Sequence, residues 1–120
     1  MKAFFHVQHL LGIGHLKRAA TLAGALARGG FEVTLASGGM PVEGIVPSGV
    51  RLVQLPPASA EDASFRHLVD ETGQRVDEAW REKRTATLLE SYSSFAPDVL
   101  LVELFPFGRR QMRFELLPLL

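Results

Sequence analysis

A chain of 120 residues holds one domain or part of one, long enough to bury roughly two thirds of the surface that its unfolded form exposes. Hydrophobic residues at 47% and charged residues at 22% are ordinary globular values and favour neither disorder nor a membrane protein. Thirteen basic residues balance thirteen acidic ones, which removes the positive excess of a general nucleic-acid binder, and the lack of cysteine removes disulfides, thiolate metal sites and cysteine nucleophiles.

Ala3 to Val7 is a short apolar run rich in Phe and Val, the pattern of a buried parallel strand. Gln8 to Thr21, QHLLGIGHLKRAAT, then takes that strand through a glycine-flanked turn and places His15 where the next helix opens. Leu16, Ala19, Ala20, Ala23, Leu26 and Ala27 recur three and four residues apart, as one helical face requires, and Gly29-Gly30 closes that helix with a left-handed cap. His6, Gln8, His9, His15, Lys17 and Arg18 interrupt the apolar stretch that a signal peptide would need. No uncharged run approaches the roughly 18 residues of a membrane span, so a cytoplasmic protein is expected.

Phe31 to Ala36 reads as a second buried strand ending in Ser37-Gly38-Gly39, and Val50 to Leu55 as a third, ended by Pro56-Pro57. Ala58 to Val76 is polar, has a turn signal at Thr72-Gly73 and shows no core pattern, so it reads as a long excursion. A helix is expected from Asp77 to Phe95, anchored by Trp80, Thr87, Leu88 and Tyr92 and stopped by Pro97. Val99 to Leu104 is the fourth strand, followed by a loop and a helix in which Met112, Leu116, Leu119 and Leu120 share a face. The chain stops within that apolar pattern, so a truncated portion of something larger is expected, with exposed apolar surface at the last helix and along the fourth strand driving self-association.

Strands alternating with helices imply an α/β fold, a Rossmann-like doubly wound parallel sheet with right-handed crossovers. In the order 3-2-1-4 the winding reverses between strands one and four, and the crevice at their carboxyl ends is where such folds bind ligands. The loops Leu10 to His15 and Glu103 to Arg110 would face each other across it.

Several chemistries fail on residues. Gly12-Ile13-Gly14 begins like a dinucleotide fingerprint, but Lys17 holds the third glycine position and Ser37-Gly38-Gly39 offers no ribose-binding acid. A phosphate-binding GxxxxGK[ST] loop is absent. His6 and His9 invite a metal, yet residues three apart in a strand point to opposite faces and no carboxylate accompanies them, so no metal site is expected.

What remains is His15. At a helix N-terminus the imidazolium is disfavoured, and a neutral ring can accept a proton from a hydroxyl; a plain cap residue is the alternative. Glu103, at the end of an apolar strand, either orients a group in the cleft or pairs with Arg109 or Arg110. Arg109, Arg110 and Arg113 form a basic cluster suited to phosphate or carboxylate, although Arg113 also reads as a solvated helix face paired with Glu115.

FFHVQHLLGIGHLKRAATLAGALARGGFEVTLASGG, with its Gly12-Ile13-Gly14-His15-Leu16-Lys17-Arg18 core, resembles the opening of GT-B glycosyltransferases, notably the family 28-like branch and its predicted-glycosyltransferase relatives. It is also similar to the opening of related nucleotide-sugar hydrolases. ELFPFGRRQMRFELLPLL, from Glu103, and the DASF and LVDETG pieces of the excursion extend the resemblance over nearly the whole chain.

The resemblance implies the amino-terminal, acceptor-side half of a two-domain enzyme whose carboxyl-terminal domain, absent here, holds most of a nucleotide-sugar donor. It implies His15 as the catalytic or orienting histidine with Glu103 beside it, Gly12 and Gly14 as loop glycines, and Arg18, Arg109 and Arg110 as substrate contacts. The acceptor would be a sugar or a lipid-linked hydroxyl, although the turn lacks the fuller glycine-rich form of the peptidoglycan N-acetylglucosaminyltransferase. No metal or organic cofactor and no nucleic acid is expected, and the isolated chain would be inactive. A hydrolase using the same histidine on water and a non-catalytic binding or assembly module are the competing readings.

Overall fold

In a computed structural model, which describes residues 1–64, 66–103 and 112–120, the elements follow the expected alternation. They are β1 (Lys2–Val7), α1 (Gly14–Arg28), β2 (Glu32–Ser37), β3 (Val50–Gln54), β4 (Ser59–Ala60), β5 (Leu68–Val69), α2 (Glu78–Phe95), β6 (Val99–Val102) and α3 (Arg113–Leu119). Four strands form one sheet in the order β3-β2-β1-β6, every pairing parallel, so β6 is the fourth strand of the expected 3-2-1-4 arrangement. His6 lies opposite both Ala36 and Val102 in the register, which puts β1 at the centre and the reversal of winding between β1 and β6.

Alternation along β1 assigns the two faces. Phe5 and Val7 join Leu16, Ala19, Ala20 and Leu35 in a core under α1. Phe4 joins Ala36, Leu88, Phe95 and Leu116 in a second core, under α2 and α3. Burying side chains on both faces is what a parallel sheet needs, and each fully buried Phe or Leu contributes about 1.5–3 kcal/mol.

Caps follow the local sequence. The α1 terminus is a Schellman closure: Gly30 N–H donates to Ala27 O at 3.1 Å and Phe31 N–H to Leu26 O at 3.0 Å, with Gly30 at φ 98° and Gly29 at φ −82°. The left-handed residue is therefore Gly30 alone, where only glycine is free of strain. Asp77 caps α2 by accepting from Trp80 N–H at 2.8 Å. Pro118 gives Phe114 O no helical donor, and Thr85 Oγ1 lies 3.5 Å from that oxygen.

The structure corrects three expectations. The third strand, at the sheet edge where the 3-2-1-4 order puts it, is not buried: Arg51, Leu52 and Gln54 are exposed, because among the described residues only β2 pairs with it. The excursion contains a small antiparallel hairpin, β4 with β5, whose Ala60, Leu68 and Val69 are buried. Its core residues are too few to show a period, yet Arg75 grips Glu61 through two bonds of 2.6 and 2.9 Å and Gly73 makes the expected turn at φ 87°. Leu120 is exposed, whereas Met112, Leu116 and Leu119 face the core as expected. Leu104, read as the end of the fourth strand, lies outside the described residues.

On the α1 side of the β6 edge, Phe5, Leu22, Leu26, Phe31, Leu101 and Val102 line an apolar groove of about 470 Å³. Among the described residues no helix is long and apolar enough to cross a membrane.

Candidate functional site

The turn after β1 delivers His15 to the first turn of α1. Ile13 occupies the cap position without any side-chain bond, and the first turn holds no acidic residue, so among the described residues the backbone N–H groups there have no side-chain acceptor. Gly12 and Gly14 take no left-handed backbone, and among the described residues a Cβ at either would meet nothing within 4 Å.

Glu103 follows β6, and its backbone N–H donates to His6 O at 3.3 Å, continuing the β1–β6 ladder by one residue. Its carboxylate thereby reaches across the switch point: Oε1 lies 3.1 Å from His15 Nδ1 and 3.2 Å from Arg18 Nη1. Among the described residues Glu103 contacts His15 and Arg18. Glu103 is mostly covered, His15 is about one-third exposed at 32%, and Arg18 stands in solvent. A carboxylate beside Nδ1 favours the tautomer that carries its proton there, which leaves Nε2 as the acceptor. Arg109 and Arg110 lie outside the described residues.

The other histidines part company. His9 leaves the strand and packs its ring directly over Gly39, where any Cβ would overlap it. His6 is buried and its Nε2 lies 2.9 Å from Glu115 Oε1, so a carboxylate does accompany it, brought from the far end of the chain. Among the described residues no group of three or more His, Asp or Glu is placed to hold a metal ion.

Beneath the cleft lies a polar cluster that the sequence reading missed. Arg84, wholly buried on α2, donates through Nη2 to Gln8 Oε1 at 2.5 Å and to Glu115 Oε1 at 2.9 Å. Its Nη1 donates to Gly38 O and to Pro56 O, each at 3.1 Å. The Gln8 amide in turn donates to His9 O at 2.7 Å and Ala58 O at 2.9 Å. Burial pushes the Glu115 carboxyl up, but the Arg84 charge and the His6 and Arg84 hydrogen bonds outweigh that and hold it below the usual carboxylate range. Glu115 is thus no partner of exposed Arg113, because it points inward with Met112 and Leu116. A signal existed: Arg84 falls four residues from both Trp80 and Leu88, on the apolar stripe, and Glu115 sits between core residues of α3. Opposite charges at two core-facing positions suggest a buried pair.

No protein-family model matches the chain, and no curated protein does. Among solved structures, a UGT transferase from Siraitia grosvenorii in complex with UDP superposes with a TM-score of 0.51 at 20% identity, over 97% of this chain and 26% of that one. The chain thus spans about a quarter of the length of that protein. The likeness is one of fold and does not single out the family 28-like branch. This α/β chain, with its four-stranded parallel sheet flanked by helices, matches a fragment of a GT-B glycosyltransferase.

Proposed function

We propose that the chain is the acceptor-side part of a glycosyltransferase, in which His15 accepts the proton of an acceptor hydroxyl and Glu103 orients His15. The observation that carries this reading is the 3.1 Å contact between His15 Nδ1 and Glu103 Oε1 at the carboxyl end of the sheet. It joins the two loops that flank the topological switch point, where α/β folds bind ligands. As the hydroxyl oxygen attacks the anomeric carbon, its proton passes to Nε2. The bond from that carbon to the donor's diphosphate breaks, and the electron pair leaves with the phosphate oxygen.

Glu103 keeps the ring in the productive tautomer and offsets the imidazolium that forms, the division of labour seen wherever a carboxylate backs a histidine base. The open backbone N–H groups of the first turn of α1 and Arg18 favour an anionic group near His15, such as a donor phosphate. A UDP-sugar is the first donor to try, since the structural neighbour was solved with UDP.

The test is product analysis of the complete protein that carries this chain, incubated with a panel of nucleotide sugars and hydroxyl acceptors. Glycosylated acceptor, with markedly less formed by Glu103→Gln, is the expected result. Free sugar without glycosylated acceptor would make the protein a hydrolase, and no turnover of any donor would leave a binding module.

A further inference from the structure

We infer that Arg84 is a positioning residue that holds the root of the β1–α1 turn, through Gln8, so that His15 meets Glu103; its relevance to turnover rests on the function proposed above. The argument begins with reach. Glu103 is held at the end of β6 by the bond from its backbone N–H to His6 O, so its contact with His15 depends on how the β1–α1 turn is held. A misplacement of about 1 Å costs a catalytic pair on the order of 100-fold in rate.

Arg84 supplies the fixed point. One nitrogen, Nη2, contacts Gln8, the first residue of the β1–α1 turn, and Glu115 on α3. The other, Nη1, gathers the carbonyls of Gly38 and Pro56 at the ends of β2 and β3. One planar guanidinium thereby joins the carboxyl-terminal exits of β1, β2 and β3 to α3. Such a fork is pre-organised in a way that a lysine ammonium is not.

The turn is tied down at successive residues. Gln8 is held by Arg84 and Ala58 O, the His9 ring lies against Gly39, and Leu10 O accepts from Ala60 N–H at 3.1 Å. Leu11 and Gly12, between Leu10 and α1, are exposed. Gly38 shows how closely the clamp is fitted, since a Cβ there would overlap the Arg84 guanidinium and the Gln8 amide oxygen. A guanidinium whose only task was to hold α2 on the sheet would not need Gln8, which lies in the turn that carries His15.

The readout is the tautomer of His15, observed by long-range proton–nitrogen correlation NMR on the labelled chain. Wild type is expected to hold His15 with its proton on Nδ1. Arg84→Lys and Gln8→Ala are expected to release a substantial share to the Nε2–H form that free histidine favours. Phe95→Leu, a core change at the other end of α2, should leave the tautomer as in wild type. Gln8→Ala decides the matter if Arg84→Lys does not fold, because it retains the Arg84–Glu115 pair. An unchanged tautomer in Gln8→Ala, or the same change in Phe95→Leu, overturns the clamp. If His15→Ala leaves turnover intact, the proposed function fails separately, while the tautomer result still decides whether Arg84 positions the ring.

Discussion

Arg84→Met gives the sharpest energetic test of the buried cluster, because it removes the cation and keeps an unbranched apolar stem in its place. Arg84 and Glu115 are both fully buried, so the variant leaves a carboxylate in the core with His6 as its remaining described partner. Removing one partner of a buried pair costs about 3–5 kcal/mol, and losing the charge-assisted bond from Arg84 to Gln8 adds about 1.5–3 kcal/mol. The two losses share one network and do not simply add, which places the total at about 4 kcal/mol or more, against about 5–15 kcal/mol for a whole domain.

The pH dependence carries its own sign. In wild type the Glu115 carboxyl is held below its ordinary value of 4.5, so its contribution is full above 4.5 and is lost as pH falls through the lower folded value. In Arg84→Met the guanidinium no longer opposes burial, so the carboxyl's folded value rises relative to wild type. The folded variant then takes up a proton more readily than folded wild type, so its deficit is largest at neutral pH and shrinks on acidification. Urea unfolding followed by circular dichroism, near neutral pH and again near the ordinary carboxylate value, reads both quantities. A deficit under about 1 kcal/mol, or an equal deficit at the two pH values, would refute the reasoning.

Other changes have expected outcomes on the same urea assay. Asp77→Ala removes the acceptor of the 2.8 Å bond from Trp80 N–H and should cost about 0.5–2 kcal/mol. Gly39→Ala drives a methyl into the His9 ring and should cost about 1–3 kcal/mol, whereas Gly12→Ala, with nothing within 4 Å, should stay within about 0.5 kcal/mol of wild type. Gly30→Ala forces a side chain onto φ 98° and should cost about 1–2 kcal/mol or more. Equal stabilities for Gly39→Ala and Gly12→Ala would contradict the close approach of His9 to the backbone.

Much of the fold is legible in the sequence because period and punctuation agree. The α1 face from Leu16 to Ala23, the glycines after Arg28 and the proline after Phe95 set element boundaries to within a residue or two. Connection rules then bring β1 beside β6, and Glu103 toward His15, without any knowledge of contacts. What stays hidden has a physical cause. A two-residue strand such as β4 has no period to read, and its pairing with β5 is a tertiary event. The 3-2-1-4 order puts Val50–Gln54 at the edge, but the residues of that strand do not say how much of it faces solvent. Arg84 and Glu115 look solvated because charged helix residues usually are, and only their place on apolar stripes hints otherwise. Gln8 carries no periodic signal, since its importance comes from Arg84, brought to it from α2.

The most direct measurement is turnover by the complete protein with UDP-sugar donors, comparing wild type with His15→Ala after both are shown to unfold with the same urea midpoint. A fall of roughly 100-fold or more in kcat, with the fold unchanged, is what a histidine general base predicts. Turnover that survives His15→Ala undiminished would reduce His15 to a helix-end residue and contradict the account at its centre.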